Sequence, residues 1–389
     1  MIRLAERYGV DELLAVQDAL LDHTERLTRL GIRAMPEGRW TFTDYVDDDG
    51  FGSESIQIVT NLTKKDDEIF VDFTGTSPQV TGAINPPFDS TKAMVYAVVR
   101  SVLGGDMPNT GGYFRPVHVT APPGTFVSPQ LPAPVAARYL GCLRVSQSVF
   151  GAFAQMLPDV VPACPGGCDA NITMAGYHRD GLVRRAWVQV EGANEIASGA
   201  SATRDGMDAQ SSPISNITNI PSELIEVEHP IRIEEYALVP DSEGAGKFRG
   251  GVGLLRHYRF IADETLVQLR SDRMRHPPYG LHRGQSGASS AVTFVDGATG
   301  EKRAIASKFI VTAKKGDGIA IAMPGGGGWG DPLERDPQRV LDDVIEEKIS
   351  RERAESVYGV VVRAHGRTIE LDAEATARLR TSRQGSSTP

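Results

Sequence analysis

Residues 254–271, LLRHYRFIADETLVQLRS, decide the fold class. They divide into two short runs rich in Leu, Val, Tyr and Phe, LLRHYRFI (254–261) and TLVQLRS (265–271), with a polar turn between them. Runs of this length and composition, ended by turn formers, read as strands. The pattern continues on both sides, in LVRRAWVQV (182–190), IRIEEYALV (231–239), SAVTFV (290–295), KFIVTA (308–313) and GIAIAM (318–323). Short strands at this spacing predict extensive antiparallel sheet rather than βαβ units.

Nearer the N-terminus a period of two recurs in TFTDYV (41–46), SIQIVTNL (55–62) and EIFVDFTG (68–75). Asp47-Asp48-Asp49-Gly50 reads as the hairpin turn between the first two. It makes a poor calcium loop, because the first ligand position would be Tyr45 and the last Ile56. Helices frame the strands. Leu13, Val16, Leu20, Leu27 and Leu30 form one apolar stripe at period 3.6, with His23 on it, Asp11 as N-cap and Gly31 as the stop. Residues 89–104 and 140–157 read as buried helices, the first behind an Asp or Ser cap. At the other end Asp336-Pro337 opens a helix, Ser350 caps another that Gly359 stops, and 360–369 is hairpin-like. The expected class is α+β: a β-rich mixed architecture with extensive antiparallel sheet and flanking N- and C-terminal helices. The expected segments are a helix at 1–31 that continues an upstream region, a main body at 32–335, a helical segment at 336–380 and a disordered tail at 381–389.

Composition narrows the function. Apolar residues make up 40% of 389, enough for a core, and the formal net charge of −9 argues against a partner with a phosphate backbone, so no nucleic acid is expected. The 41 glycines and 24 prolines predict many tight turns. No run approaches the roughly 18 apolar residues of a membrane span, and the first residues lack the pattern of a signal peptide. The three N-x-[ST] sequons, at Asn61, Asn171 and Asn216, are therefore chance matches in a protein expected to be soluble and cytoplasmic.

Familiar motifs fail on spacing. Gly244–Lys247 lacks the spacer and hydroxyl of a phosphate loop, no G-x-G-x-x-G joins a strand to a helix, and there is no G-x-S-x-G elbow. No nucleotide site is expected on this chain alone. Cys164 and Cys168 have metal-clip spacing but no second ligand pair, so they read as small buried thiols. What remains is a series of turns that combine glycine with Asp, Asn or Arg: 72–76, 81–85, 134–138, 205–208, 241–251 and 271–276. Loops at strand ends carry function, yet Asp and Asn also cap turns and Arg pairs with them.

At these turns the chain resembles the hydantoinase B/oxoprolinase family, which includes the large subunits of acetone- and acetophenone-type carboxylases. The resemblance is carried by VDFTGTSPQVTGAIN (71–85), MPNTGGYFRPVHV (107–119), PAPVAAR (132–138), ATRDGMDA (202–209), DSEGAGKFRGGVGL (241–254), SDRMRHPPYGLHRGQSG (271–287), PGGGGWGDPLERDPQRVLDDV (324–344) and YGVVV (358–362), in order and nearly end to end. It implies a subunit of an ATP-dependent cyclic-amide hydrolase of the hydantoinase or 5-oxoprolinase type. The alternatives are a subunit of an ATP-dependent carboxylase or a non-catalytic subunit of such a complex. It implies a hetero-oligomer with an A-type ATPase subunit that binds Mg-ATP and phosphorylates an unreactive carbonyl of a small-molecule substrate.

The resemblance also implies a divalent metal of the Zn, Mn or Fe class. The NDPYxGGTHxPD-like stretch that holds it in the family does not occur in residues 1–389. No metal ligand is assigned here, and the ion is expected from a missing N-terminal region or from a partner, such as a separate N-terminal B fragment. Three origins stay open: a split gene, a misplaced or truncated start, and a degenerate remnant. An apolar stripe on the first helix with nothing to cover it favours a missing element. The residues left to build the rest of a pocket are Arg138, whose guanidinium can fork onto a carboxylate or oxyanion, Asp72 and Asn85 to orient amides, and Asp272, Arg273 and His276 as an acid–base or anion site. Pro277, Pro278, Trp329 and Gly325–Gly328 read as scaffold.

Overall fold

The computed structural model describes every residue except 168–169, 181–182, 192–195, 211, 213, 216, 367 and 386–389. By internal contacts the chain divides into two units, one of residues 1–44 and 57–161, the other of residues 45–56 and 162–389. This division does not follow the 1–31, 32–335 and 336–380 segments expected from sequence.

The first unit begins with helix α1 (Ile2–Tyr8) and helix α2 (Val10–Arg33), which meet at Gly9 with φ 84°. Strand β1 (Gly38–Asp48), β2 (Glu54–Lys65) and β3 (Glu68–Asp72) follow, then α3 (Phe88–Leu103), β4 (Val117–Thr120) and α4 (Tyr139–Met156). The four strands form one sheet in the order β1-β2-β3-β4, with β4 parallel to β3. The tip of the β1–β2 hairpin, 45–56, belongs by its contacts to the second unit.

The first helix corrects the sequence reading at its end. Gly31 lies inside α2 rather than beyond it, and a Cβ there would stand 2.7 Å from Leu103. The buried face of α2 carries Thr24, Thr28 and Ile32, while Val16, Leu20, Leu30 and His23 are exposed. Threonine can be buried because each hydroxyl donates back along the helix, Thr24 to Leu20 O and Thr28 to Thr24 O, both at 2.8 Å. Helix α3 also differs at its start: Pro87 is the N-cap, and Asp89 sits in the first turn instead.

In the second unit, β5 (Asn171–Asp180), β6 (Val183–Glu191), the short helix α5 (Ser222–Glu228), β7 (Ile231–Leu238), β8 (Leu254–Phe260), β9 (Glu264–Arg270), β10 (Ala291–Val295), β11 (Lys302–Ala304), β12 (Lys308–Lys314) and β13 (Gly318–Ala322) build two sheets. Their orders are β11-β10-β13-β8-β7 and β12-β9-β5-β6, and the pairings are antiparallel. Met174, Trp187, Val267 and Leu269 of one sheet and Tyr258, Phe260, Ile319 and Ile321 of the other close on a single core. The chain ends with α6 (Pro337–Ile345), α7 (Arg351–Ser356), the hairpin β14 (Val362–His365) and β15 (Thr368–Leu371), and α8 (Ala373–Gly385). Asp336 caps α6 and Ser350 caps α7, as their sequence positions predict. Helix α8 runs to Gly385, well into the tail expected to be disordered.

The glycine excess has a structural cause. Residues 325–328 run through the middle of the second unit, bonded backbone to backbone with 164, 244, 251 and 285 at 2.7–3.0 Å. A Cβ on Gly325 would lie 1.7 Å from Ser242 O, and one on Gly250 1.9 Å from Gly326 O. Only glycine permits backbone segments to approach this closely. Beside this hub sits an ion network. Arg335 reaches Asp205 at 2.7 Å and Asp343 at 2.6 Å, and Arg249 reaches Asp343 at 2.8 Å and Asp208 at 2.9 Å. The polar turns 205–208 and 241–251 are therefore structural joints.

Candidate functional site

The loop after β9 carries Asp272, Arg273 and His276, and the β1–β2 tip meets it. The two are held by a reciprocal clamp. Asp272 Oδ1 accepts the backbone N–H of Asp47 at 2.9 Å. Asp47 in turn accepts three consecutive backbone N–H groups, from Met274 at 2.5 Å, Arg275 at 3.2 Å and His276 at 3.1 Å. Both carboxylates are buried, and Lys308 Nζ lies 3.9 Å from Asp272 and 3.6 Å from Asp48. Hydrogen bonds to a carboxylate and a nearby cation offset the cost of burying its charge.

Arg273 is fully buried in the left-handed region, φ 66°. Its guanidinium donates to His276 O at 3.0 Å and lies 3.2 Å from the Cys164 sulfur. His276 is half-buried, stacked on Tyr45 with ring centroids 4.8 Å apart, and its Nε2 lies 3.1 Å from Ser55 Oγ. Ser55 is exposed and also left-handed, φ 50°. At the rim Arg275 forms a two-point ion pair with Glu54, at 2.6 and 3.0 Å, and its hydrogen bond holds the Glu54 carboxyl below the usual range. The structure thus brings Asp272, Arg273 and His276 together, with the first two buried beneath the third.

The other three candidates lie in the first unit. Asn85 is fully buried and spends its amide on backbone: Nδ2 donates to Val80 O, Gly82 O and Pro134 O at 2.9–3.0 Å, and Oδ1 accepts from Val80 N. It fastens the 80–85 turn to the loop that leads to Arg138. Arg138 is exposed at the start of α4, its guanidinium making a long 3.5 Å contact to Val135 O. Asp72 accepts from Thr74 at 3.1 Å and Thr120 at 2.9 Å.

Sequence reading missed Tyr45, Asp47 and Ser55. Three consecutive aspartates at a hairpin tip exceed what a turn requires, and that excess was the available signal. Among the described residues no group of three or more His, Cys, Asp or Glu side chains can hold a metal ion, so those residues do not fit the divalent ion that the resemblance implies. Cys142 and Cys164 are buried thiols, and burial pushes the Cys142 thiol up to about 11. Cys168 lies outside the described residues. Among those described, no helix is long and apolar enough to cross a membrane.

A paired-sheet unit built on a glycine hub, with a histidine clamped at a loop edge, defines an α+β protein whose candidate site is assembled from loops. The sequence profile of the hydantoinase B/oxoprolinase family matches residues 1–332, and the chain belongs to that family. It is 33% identical over 391 aligned residues to a protein named as the B component of a D-/L-hydantoinase from a Pseudomonas strain, covering 97% of this chain and 64% of that one. It is 30% identical to the beta chain of the caprolactamase of Pseudomonas jessenii, covering 97% of this chain and 65% of the other. The crystal structure of the ATP-dependent caprolactamase from Pseudomonas jessenii superposes with a TM-score of 0.84 at 27% identity, over 98% of this chain and 66% of that one. A nucleotide-free acetone carboxylase superposes at 0.81 with 19% identity, a likeness of fold, over 100% of this chain and 58% of that one. The chain spans about two thirds of the length of the relatives it matches.

Proposed function

We propose that this chain is the main body of the hydantoinase B-type component of an ATP-dependent cyclic-amide hydrolase, of the hydantoinase and 5-oxoprolinase type. The observation that carries the reading is its alignment over nearly its whole length with the B component of a hydantoinase and the beta chain of a caprolactamase. An A-type ATPase subunit supplies the ring amide activated by phosphorylation, which places the complex in the cytoplasm with its ATP. The divalent ion comes from the part of those relatives that this chain does not match. The exposed apolar residues Leu14, Val16 and Leu20 of α2 are the surface we assign to that part.

Water adds to the phosphorylated carbon and gives up a proton, the ring C–N bond breaks as a proton reaches the leaving nitrogen, and a second water releases inorganic phosphate. Imidazole can make both proton transfers near neutrality, and His276 is the half-buried imidazole of the clamp. Asp272 and Arg273 serve it from below as positioning residues. Arg138, exposed and lightly bonded, pairs with a substrate carboxylate or oxyanion, Asn85 holds its loop, and Asp72 orients an amide.

The test is ATP consumption by the co-expressed complex with hydantoin, 5-oxoproline, caprolactam, and acetone with bicarbonate. Hydrolysis of a ring amide, lost on His276→Gln and lowered on Arg138→Ala without unfolding, is the expected result. Turnover of acetone alone makes the complex a carboxylase, and unchanged hydrolysis in His276→Gln removes that residue from the chemistry.

A further inference from the structure

The tip of the β1–β2 hairpin does more than close a turn. Three of its residues converge on the half-buried His276 ring. Asp47 gathers the backbone N–H groups of 274, 275 and 276 and so sets where residue 276 sits. Tyr45 stacks on its imidazole at an interplanar angle of 20°. Ser55 Oγ lies 3.1 Å from its Nε2. Ser55 does this from a left-handed backbone conformation, φ 50°, which is unfavourable for a side-chain-bearing residue and which glycine would adopt freely. A residue kept at a cost in the position where it meets a histidine points to use of its hydroxyl. A hydroxyl accepts when the facing nitrogen is protonated and donates when it is not. For Nδ1 to take up and return a proton, Nε2 must keep its own hydrogen, so Ser55 Oγ accepts from Nε2–H in both ring states and fixes the tautomer.

We propose that the hairpin tip is a working part of the site, with Asp47 the positioning residue of His276 and Ser55 the hydroxyl that holds the ring in the tautomer able to take a proton at Nδ1. The inference rests on the reading of His276 as the proton-handling group for a ring amide. It adds to the reaction two residues that lie 229 and 221 positions upstream of that histidine.

The experiment separates this inference from the reading beneath it. Ser55→Gly removes the hydroxyl at a position where φ already suits glycine, so the fold is retained. The His276 imidazole is followed by NMR titration in the full chain, its signals assigned by their loss in His276→Gln. The pH profile of ring opening is measured in the complex. Because an acceptor on Nε2–H bonds the charged ring more strongly than the neutral one, the expected result is that Ser55→Gly lowers both the His276 titration and the matching limb of the kcat profile by about half a pH unit or more, with KM within about twofold. Asp47→Asn puts an amide donor against three backbone donors. It is expected to lower kcat about tenfold or more and to broaden or shift the same imidazole signals. A titration and profile left unmoved by both substitutions, while His276→Gln abolishes turnover, overturns the inference alone. Turnover unchanged in His276→Gln overturns the underlying reading, and the inference falls with it.

Discussion

Asp343→Ala is the sharpest test of what holds the second unit together. Asp343 is 5% exposed and accepts Arg249 Nε at 2.8 Å and Arg335 at 2.6 Å, and both arginines are buried. Removing the carboxylate strips one partner from each guanidinium and leaves Arg335 on Asp205 and Arg249 on Asp208. Two charge-assisted hydrogen bonds at about 1.5–3 kcal/mol each give roughly 3–6 kcal/mol. Breaking a buried pair from one side costs about 3–5 kcal/mol by comparison with other proteins. The two routes agree, and about 3–5 kcal/mol is the expected loss. For a unit of this size that corresponds to a fall in Tm of about 6–20 °C. Thermal melts of the folded chain read it, with Asp342→Ala as control: Asp342 is the exposed neighbour on the same helix, and it should change stability by less than about 0.5 kcal/mol. A drop in Asp343→Ala no larger than that of the control would refute the reasoning and make the network a passive consequence of packing.

The same network sets an acid limit. Burial raises the Asp205 and Asp208 carboxyls, but Arg335 and Arg249 outweigh it and hold both below their ordinary range. A depressed folded pKa gives stability that is complete above the unfolded value, near 3.9, and is lost as pH falls through the folded one. Chemical denaturation at fixed pH values should show these two groups contributing nothing to the slope from pH 7 to 5 and destabilising the chain below about pH 4. Gly250→Ala should prevent folding, because its methyl would meet Gly326 O at 1.9 Å, whereas Gly300→Ala, with open space and φ 74°, should cost only about 1 kcal/mol. Circular dichroism of the two purified variants distinguishes them. Leu14→Asp, on the exposed face of α2, should leave Tm within about 2 °C and abolish co-purification with a separately expressed copy of the part of its relatives that this chain does not match. Retained co-purification would clear that face of the role.

The candidate site was legible only in part. Asp272, Arg273 and His276 could be singled out because they share one short loop at a strand end. Their roles could not be ranked, since nothing local says that two are buried and one accessible. Asp47 and Ser55 lie more than 200 positions upstream, and only the pairing of distant segments makes them neighbours of His276. The first helix makes the same point. Its leucine stripe is real, yet the body covers Thr24, Thr28 and Ile32, because burial is decided by what packs against a helix and threonine can satisfy its own hydroxyl there.

The sequence by itself determined the class and most of the elements. Alternation, helical periodicity, and capping residues such as Asp336 and Ser350 are local physics, written within a few residues of where they act. It also carried the family, in the order of its turn motifs. Tertiary structure alone decided why so many glycines were needed, which acids pair with which arginines, and that a hairpin tip near the N-terminus finishes a loop near residue 276. Those outcomes depend on close approach between segments far apart in the chain, and no window of neighbouring residues encodes a distance.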